Sequence, residues 1–237
     1  MNLFNKMMIG FLGIFLITTI LVRQIEAATE SKAIALVLKT TGEVKLKKAG
    51  TDRVLPLKFG STLDNGDWIR AGDDGFAVLM FTDDKSQIKI SAKTEVIIEG
   101  KRDANSNITK RVQMEVGQLL AKVDQQRGSL QIATPTSVAS VKGTEFWVVV
   151  LDDGTTQVIT LEGLVELLNT QSGRVVDVQP GQRGESSPDG EVNQDIPPEE
   201  DIPVDQDPDQ ETPHSIQIDV QDEEGRTRHV IIEYEER

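Results

Sequence analysis

The sequence predicts an all-β fold, a sandwich or rolled sheet of many short strands. Between Ile34 and about Asp177, apolar residues either alternate with polar ones or gather in short continuous runs, the two patterns that strands show. Asn65-Gly66, Asp74-Gly75, Asp153-Gly154 and Ser172-Gly173 separate these runs, and such pairs tolerate the positive φ of tight hairpin turns. No segment after residue 33 sustains a 3.6-residue apolar period, which argues against helices there.

The start of the 237-residue chain reads differently. Lys6 precedes the apolar run Met7–Val22, which falls short of the about 20 residues that a membrane helix needs. Ala27 and Ala28 follow at the distance of a signal-peptidase site, although Ile25 or Glu26 stands where a small residue is favoured. Residues 1–28 are therefore expected to be a signal peptide or a signal anchor, helical in either case. Both readings export the rest of the chain to the periplasm or cell envelope. Membrane contact is then confined to this segment when it stays uncleaved.

Residues 34–183 are expected to form the β domain. Val44 and Leu46 stand between lysines, Ile88 and Ile90 between Gln87, Lys89 and Ser91, and Val112, Met114 and Val116 between Arg111, Gln113 and Glu115. Each stretch gives one apolar and one wet face. Phe76–Phe81 and Phe146–Leu151 are continuous apolar runs, as expected of central strands buried on both faces. Gly42-Glu-Val-Lys-Leu46 is echoed in Gly163-Leu-Val-Glu-Leu167. With no fixed period recurring between them, these read as two ordinary strands each entered through glycine.

Residues 184–213 hold 11 acidic side chains, no basic one and six of the nine prolines. Such a segment buries too little surface to offset its ordering entropy, so an acidic, disordered, self-repelling linker is expected. Residues 214–237 then read as a β-hairpin turning around Glu224-Gly225. An isolated hairpin is marginal in water. Its apolar positions, Ile216, Ile218 and Val220 on one strand and Val230, Ile232 and Tyr234 on the other, therefore suggest docking by strand addition.

Charge and residue inventory exclude several function classes. Formal net charge is −14, and the last block holds 7 acidic residues against 3 Arg, which leaves residues 1–183 at +1. A near-neutral body with an acidic tail offers nothing to neutralise phosphates, so no nucleic-acid partner is expected. The absence of cysteine removes disulfides, thiolate metal sites and thiol catalysis. Both histidines, His214 and His229, lie in the tail, so a His-dependent triad cannot form within the body.

Asp73/Asp74, Asp83/Asp84 and Asp152/Asp153 look like glycosidase carboxylate pairs, but each sits in a turn, where Asp suits the local backbone and solvent. Asp205, Asp207, Asp209 and Glu211 alternate like the start of a calcium loop. Pro208 interrupts them, the sixth-position Gly is missing and Ile216 stands in the place of the final Glu, so solvated charge is the better reading. No enzyme activity, cofactor or metal is expected.

The densest pattern is Ile132–Val150 followed by Asp152–Leu167. Thr134, Pro135, Lys142, Gly143, Thr144 and Phe146 lead to a hairpin at Asp153-Gly154, and Val158, Glu162, Gly163 and Val165 close the segment. It resembles the signature half of the FecR family. Upstream, Leu63, Asn65-Gly66-Asp67-Trp68-Ile69-Arg70, Phe76–Thr82 and Lys93–Val96 are similar to that family's earlier strands, with Asp84-Lys85 in place of its usual Asp-Gly turn. The resemblance spans about residues 36–183.

The resemblance implies an envelope module. Members carry signals across the inner membrane, listening to an outer-membrane transporter and holding or activating a sigma factor through a cytoplasmic N-terminal segment. Only Met1–Lys6 precede the apolar run here, so that sigma-factor segment is expected to be lacking. Gly143 and Gly163 are expected to turn the chain sharply, and Pro135 to stand at a strand start or edge. Phe146 and Trp147 must point to opposite faces of one strand, so one enters the core and the other a second layer or a groove.

The expected function is a non-catalytic envelope module that binds a protein partner, in transmembrane signalling or as a scaffold. The alternative is a glycan- or peptidoglycan-binding surface module. Candidate partner-binding residues are Trp68, Trp147, Ile218, Ile232 and Tyr234.

Overall fold

Alternation of apolar and polar residues builds strands along the described part of the chain. In this computed structural model that part comprises residues 33–123 and 130–207, together with the backbone of 214–221 and 227–234. The expected signal or anchor segment, residues 1–28, lies outside it.

Two sheets face each other. Numbered along the chain, the front sheet runs in spatial order β3 (Val54–Pro56), β2 (Val44–Lys47), β5 (Asp67–Ala71), β8 (Glu95–Arg102), the first half of β9 (Ile108–Lys122), β10 (Leu130–Ala133), β11 (Ser137–Val141), β14 (Val165–Asn169) and β15 (Val175–Val178). The back sheet runs β4 (Thr62–Leu63), β1 (Ala35–Thr41), β6 (Phe76–Phe81), β7 (Gln87–Ile90), the second half of β9, β12 (Glu145–Val150), β13 (Thr156–Glu162), β16 (Arg183–Ser186) and β17 (Val192–Asp195). Neighbours pair antiparallel except β9 with β10.

The expected all-β sandwich is therefore present, and one strand belongs to both layers. β9 changes sheet at Gly117, whose φ is +103°. A Cβ there would lie 2.4 Å from Thr94 Oγ1, so only glycine lets the strand turn this corner. The corner from β13 to β14 works the same way. Gly163 has φ +81°, and a Cβ on it would meet the Gly143 carbonyl oxygen at 2.4 Å. The expected change of direction at Gly143 and Gly163 is thus realised, with the two glycines packed on one another. The echo between Gly42–Leu46 and Gly163–Leu167 acquires a meaning that spacing alone did not give, since both glycines take the chain from the back sheet into the front sheet.

Residues facing between the sheets form one core. Leu79, Phe81, Ile88, Leu119, Phe146 and Val148 come from the back sheet, and Ile69, Val96, Ile98, Val112, Met114 and Leu167 from the front. Each such side chain, fully buried, contributes on the order of 1.5–3 kcal/mol. β6 and β12, read as central strands buried on both faces, are nearly so along their length.

The linker expected at 184–213 needs correction. β16 pairs with β13, β17 pairs with β16, and residues 195–207 continue as a strap over the outer face of the back sheet. Composition predicted self-repulsion because it registers only the charges within the segment. Four of its carboxylates, on Asp195, Asp201, Asp205 and Asp207, are instead paired with Arg183, Lys89 and Lys39, which lie on three separated strands. The body accordingly extends beyond residue 183 to 207, and 208–213 lie outside the described residues.

The C-terminal hairpin consists of β18 (His214–Gln221) and β19 (Thr227–Tyr234), paired antiparallel with Ile216 opposite Ile232 and Ile218 opposite Val230. The side chains of Ile218, Ile232 and Tyr234 lie outside the described residues.

Candidate binding surface

In a sheet, residues opposite one another on neighbouring strands share a face. Register therefore defines rows that cross the strands, and one such row on each outer face is informative. On the back sheet the row runs Lys39, Val78, Lys89, Leu120, Trp147, Ile159, Arg183 and Asp195. The strap follows this row from one side of the sheet to the other.

At one end Arg183 Nε donates to Asp195 Oδ1 at 2.9 Å and Arg183 Nη1 to Asp201 Oδ2 at 3.1 Å. The guanidinium holds the Asp195 carboxyl below the usual carboxylate range. In the middle Ile202 packs on Leu120, Trp147 and Ile159. At the far end Lys89 Nζ lies 2.7 Å from Asp205 Oδ2, and Lys39 Nζ 2.6 Å from Asp207 Oδ1. The Ala92 N–H donates to Gln206 Oε1 at 3.2 Å.

Trp147, expected as a partner-binding residue, is consequently only 2% exposed. The burial has a simple cause: Phe146 takes the core side of β12, and the outer side that remains for Trp147 lies under the strap. Asp205 and Asp207, read as solvated charge rather than calcium ligands, are instead largely shielded from solvent and paired with Lys89 and Lys39.

The front sheet carries the corresponding row Val54, Lys47, Trp68, Ile97, Gln113, Ala133, Val138, Leu168 and Val175. Six of these nine side chains are aliphatic and a seventh is Trp68. Trp68, Ile97, Val138 and Leu168 are half-buried, while Val54 and Val175 at the two edges are 46% and 51% exposed. The side-chain bonds on this face run between its own strands, from Trp68 Nε1 to Glu95 Oε1 at 2.6 Å and from Gln131 Nε2 to Ser140 Oγ at 3.3 Å. The Lys47 ammonium stands 5.4 Å from the Trp68 ring centroid. At the Val54 end the row meets an open cleft of about 430 Å³ lined by residues 42–45 and 54–57.

Trp68 is therefore the one expected binding residue that the described side chains place on an open face. Ile97, Val138 and Leu168 were missed, although a signal existed. Each is an apolar residue where alternation requires a polar one, as in Val96-Ile97-Ile98 and Leu167-Leu168-Asn169.

The acidic pairs separate into two kinds. Asp74 and Asp153 behave as turn residues, accepting the Glu43 N–H at 3.0 Å and the Thr155 N–H at 2.8 Å. Asp83 and Asp84 do not face solvent as expected: they are 2% and 0% exposed and grip the buried Lys110 Nζ at 2.9 and 2.7 Å. Burial pushes the Asp84 carboxyl up, but Lys110 and the Ser86 N–H outweigh it and hold it below the ordinary range. Lys85, in the position expected of glycine, adopts φ +64° to make this turn. The triad joins the β6–β7 turn to β9 and is structural rather than hydrolytic in arrangement. Among the described residues no group of three or more His, Cys, Asp or Glu could hold a metal ion, and no helix is long and apolar enough to cross a membrane.

The family model described as "FecR protein" matches residues 67–166. These residues are a FecR domain. The FecR domain reaches from β5 to β14 and so contains the crossover strand β9, both tryptophans and the middle of each outer row. The strap lies beyond it.

No curated protein matches the sequence significantly. Two solved structures, each described as a "putative anti-sigma factor" from Parabacteroides distasonis ATCC 8503, align with TM-scores of 0.46 and 0.45 at 18% and 19% identity. Each alignment covers 54% of this chain and 59% of the other, so this chain spans less than two thirds of those proteins.

Within the FecR domain the signature residues serve architecture. Thr144 Oγ1 bonds the Leu164 carbonyl at 3.1 Å across the Gly143–Gly163 corner, and Phe146 fills the core. Thr134 Oγ1 lies 2.7 Å from Thr156 Oγ1, and Pro135 stands between β10 and β11, as a residue without a ladder donor should.

Proposed function

We propose that this chain is a non-catalytic FecR-type module of the cell envelope that binds a protein partner across its front sheet, in transmembrane signalling or as a scaffold. The observation that carries this reading is the aliphatic row from Val54 to Val175. Its back-sheet counterpart is covered by the chain's own strap, and an apolar row of this length, rimmed by Lys45, Arg70, Glu99 and Arg111, has the composition of a protein interface. Export follows from the apolar run Met7–Val22 and the small residues after it.

A glycan- or peptidoglycan-binding surface, the rival reading, would need exposed aromatic rings such as Trp68 and Trp147 as stacking platforms. Trp147 is buried, and the Trp68 ring is already faced by an ammonium. Both points favour the protein-binding reading.

The test is in-cell photo-crosslinking with the probe residue placed at Ile97, at Leu168 or, as a control, at Asn193 of β17, followed by mass spectrometry. The same envelope protein captured from the first two positions and not from Asn193 supports the proposal. A transporter or membrane regulator as that protein makes the role signalling. Recovery of wall material alone overturns the proposal in favour of the rival.

A further inference from the structure

A second surface lies on the opposite face, and its ligand chemistry can be read from what already sits on it. Beyond Asp195, where β17 ends, the strap contributes no strand to the back sheet. Its own backbone bonds are local, from Asp201 N–H to the Pro198 carbonyl and from Ile202 N–H to the Glu199 carbonyl. It is held by side chains: one half-buried aliphatic anchor, Ile202, the carboxylates of Asp201, Asp205 and Asp207 on Arg183, Lys89 and Lys39, and the Gln206 amide oxygen on the Ala92 N–H. Ile196 and Val204, the other large aliphatic residues between Asp195 and Asp207, are 80% and 76% exposed and add no anchoring.

A segment fastened by one apolar side chain and a few ion pairs opens more readily than a ladder-bonded strand. What opening uncovers is an apolar centre, Leu120, Trp147 and Ile159, flanked by three cations that the strap has desolvated. That combination is a receptor for an extended acidic peptide.

We propose that the outer face of the back sheet is a docking site for an extended acidic segment of a partner protein, and that residues 201–207 are its resident competitor in cis. The strap supplies the recognition pattern: an aliphatic anchor, with carboxylates three and five residues further on, as in Ile202, Asp205 and Asp207. Lys89 and Lys39 read the carboxylates, and the Trp147 patch reads the anchor. A partner segment with this pattern replaces the strap contact for contact, and the FecR domain thereby becomes self-masked until such a partner arrives.

The experiment uses the full chain and a fluorescein-labelled synthetic peptide of residues 196–208, followed by anisotropy. The variant Ile202→Ser/Asp205→Asn/Asp207→Asn should bind the peptide at least tenfold more tightly than the unaltered chain. Adding Lys39→Glu and Lys89→Glu should abolish that binding. A strap variant that keeps its circular dichroism and melting transition yet binds no better, or binding indifferent to the two lysines, overturns the proposal.

In case the triple variant does not fold, the unaltered chain is irradiated with excess peptide carrying a photo-crosslinker at the Ile202 position. Crosslinks on β9 or β12 support the site, and crosslinks elsewhere or none count against it. If the unaltered chain proves to be a dimer whose straps crosslink between copies, the occupant is a second copy and the partner reading fails.

Discussion

Lys89 Nζ and Asp205 Oδ2 meet at 2.7 Å although 116 positions separate them in the sequence. Both side chains are 13% exposed, so the pair is well shielded from solvent. It ties the middle of the back sheet to a segment whose composition alone reads as disordered. Shortening the neighbouring anchor by Ile202→Ala should cost about 1–2 kcal/mol, below the range for a fully buried isoleucine. Urea unfolding measures the cost, and Trp147 fluorescence should shift to longer wavelength as its cover loosens. An unshifted emission would mean that the strap does not cover Trp147 in solution.

The buried triad should be far less tolerant. Removing Lys110 leaves Asp83 and Asp84 without their common cation in a site closed to water, so Lys110→Met is expected to cost about 3–5 kcal/mol. The triple change Lys110→Met/Asp83→Asn/Asp84→Asn should recover part of that loss, because no lone charge remains buried. Equilibrium unfolding of both variants provides the comparison.

The same triad sets an acid limit. The folded-state pKa of Asp84 is depressed, so its contribution is fully present above the unfolded value near 3.8 and is lost as pH falls through the lower folded value. Stability measured from pH 6 downward should therefore begin to fall near pH 4 and continue falling below it. The Asp84→Asn variant should start lower and decline less steeply.

The corners make a distinct prediction. Gly173 and Gly163 have φ of +70° and +81°, but a Cβ on Gly173 meets open space whereas one on Gly163 meets the Gly143 carbonyl. Gly173→Ala should thus cost only the left-handed backbone penalty of about 1–2 kcal/mol. Gly163→Ala should cost about 1–3 kcal/mol more, through overlap. Thermal or denaturant unfolding of the two variants side by side tests the difference.

The sequence made the strands legible because each is a local pattern. Val112, Met114 and their polar neighbours announce a two-faced strand by themselves, and Gly143 and Gly163 announce a corner. The strap was illegible for the opposite reason: Ile202 stands isolated between acidic and proline residues, and its partners Leu120, Trp147 and Ile159 lie on three strands distant in the chain. The cover over Trp147 was hidden with it, since a core face and a covered outer face look alike in a continuous apolar run.

The front row was half legible. Trp68 attracted notice as a scarce aromatic, but Ile97, Val138 and Leu168 become neighbours only once register is known. The burial of Asp83 and Asp84 was hidden because a turn-forming Asp pair looks the same whether a lysine from another strand reaches it or not.

The most direct test of the front-sheet reading is capture of the crosslinked envelope partner by the purified full chain, comparing the native sequence with Ile97→Glu/Leu168→Glu. Both positions are half-buried on the outer face, so the native fold should be retained, which the melting transition checks. A folded variant should lose capture at least tenfold; undiminished capture would place the partner elsewhere than on the front sheet.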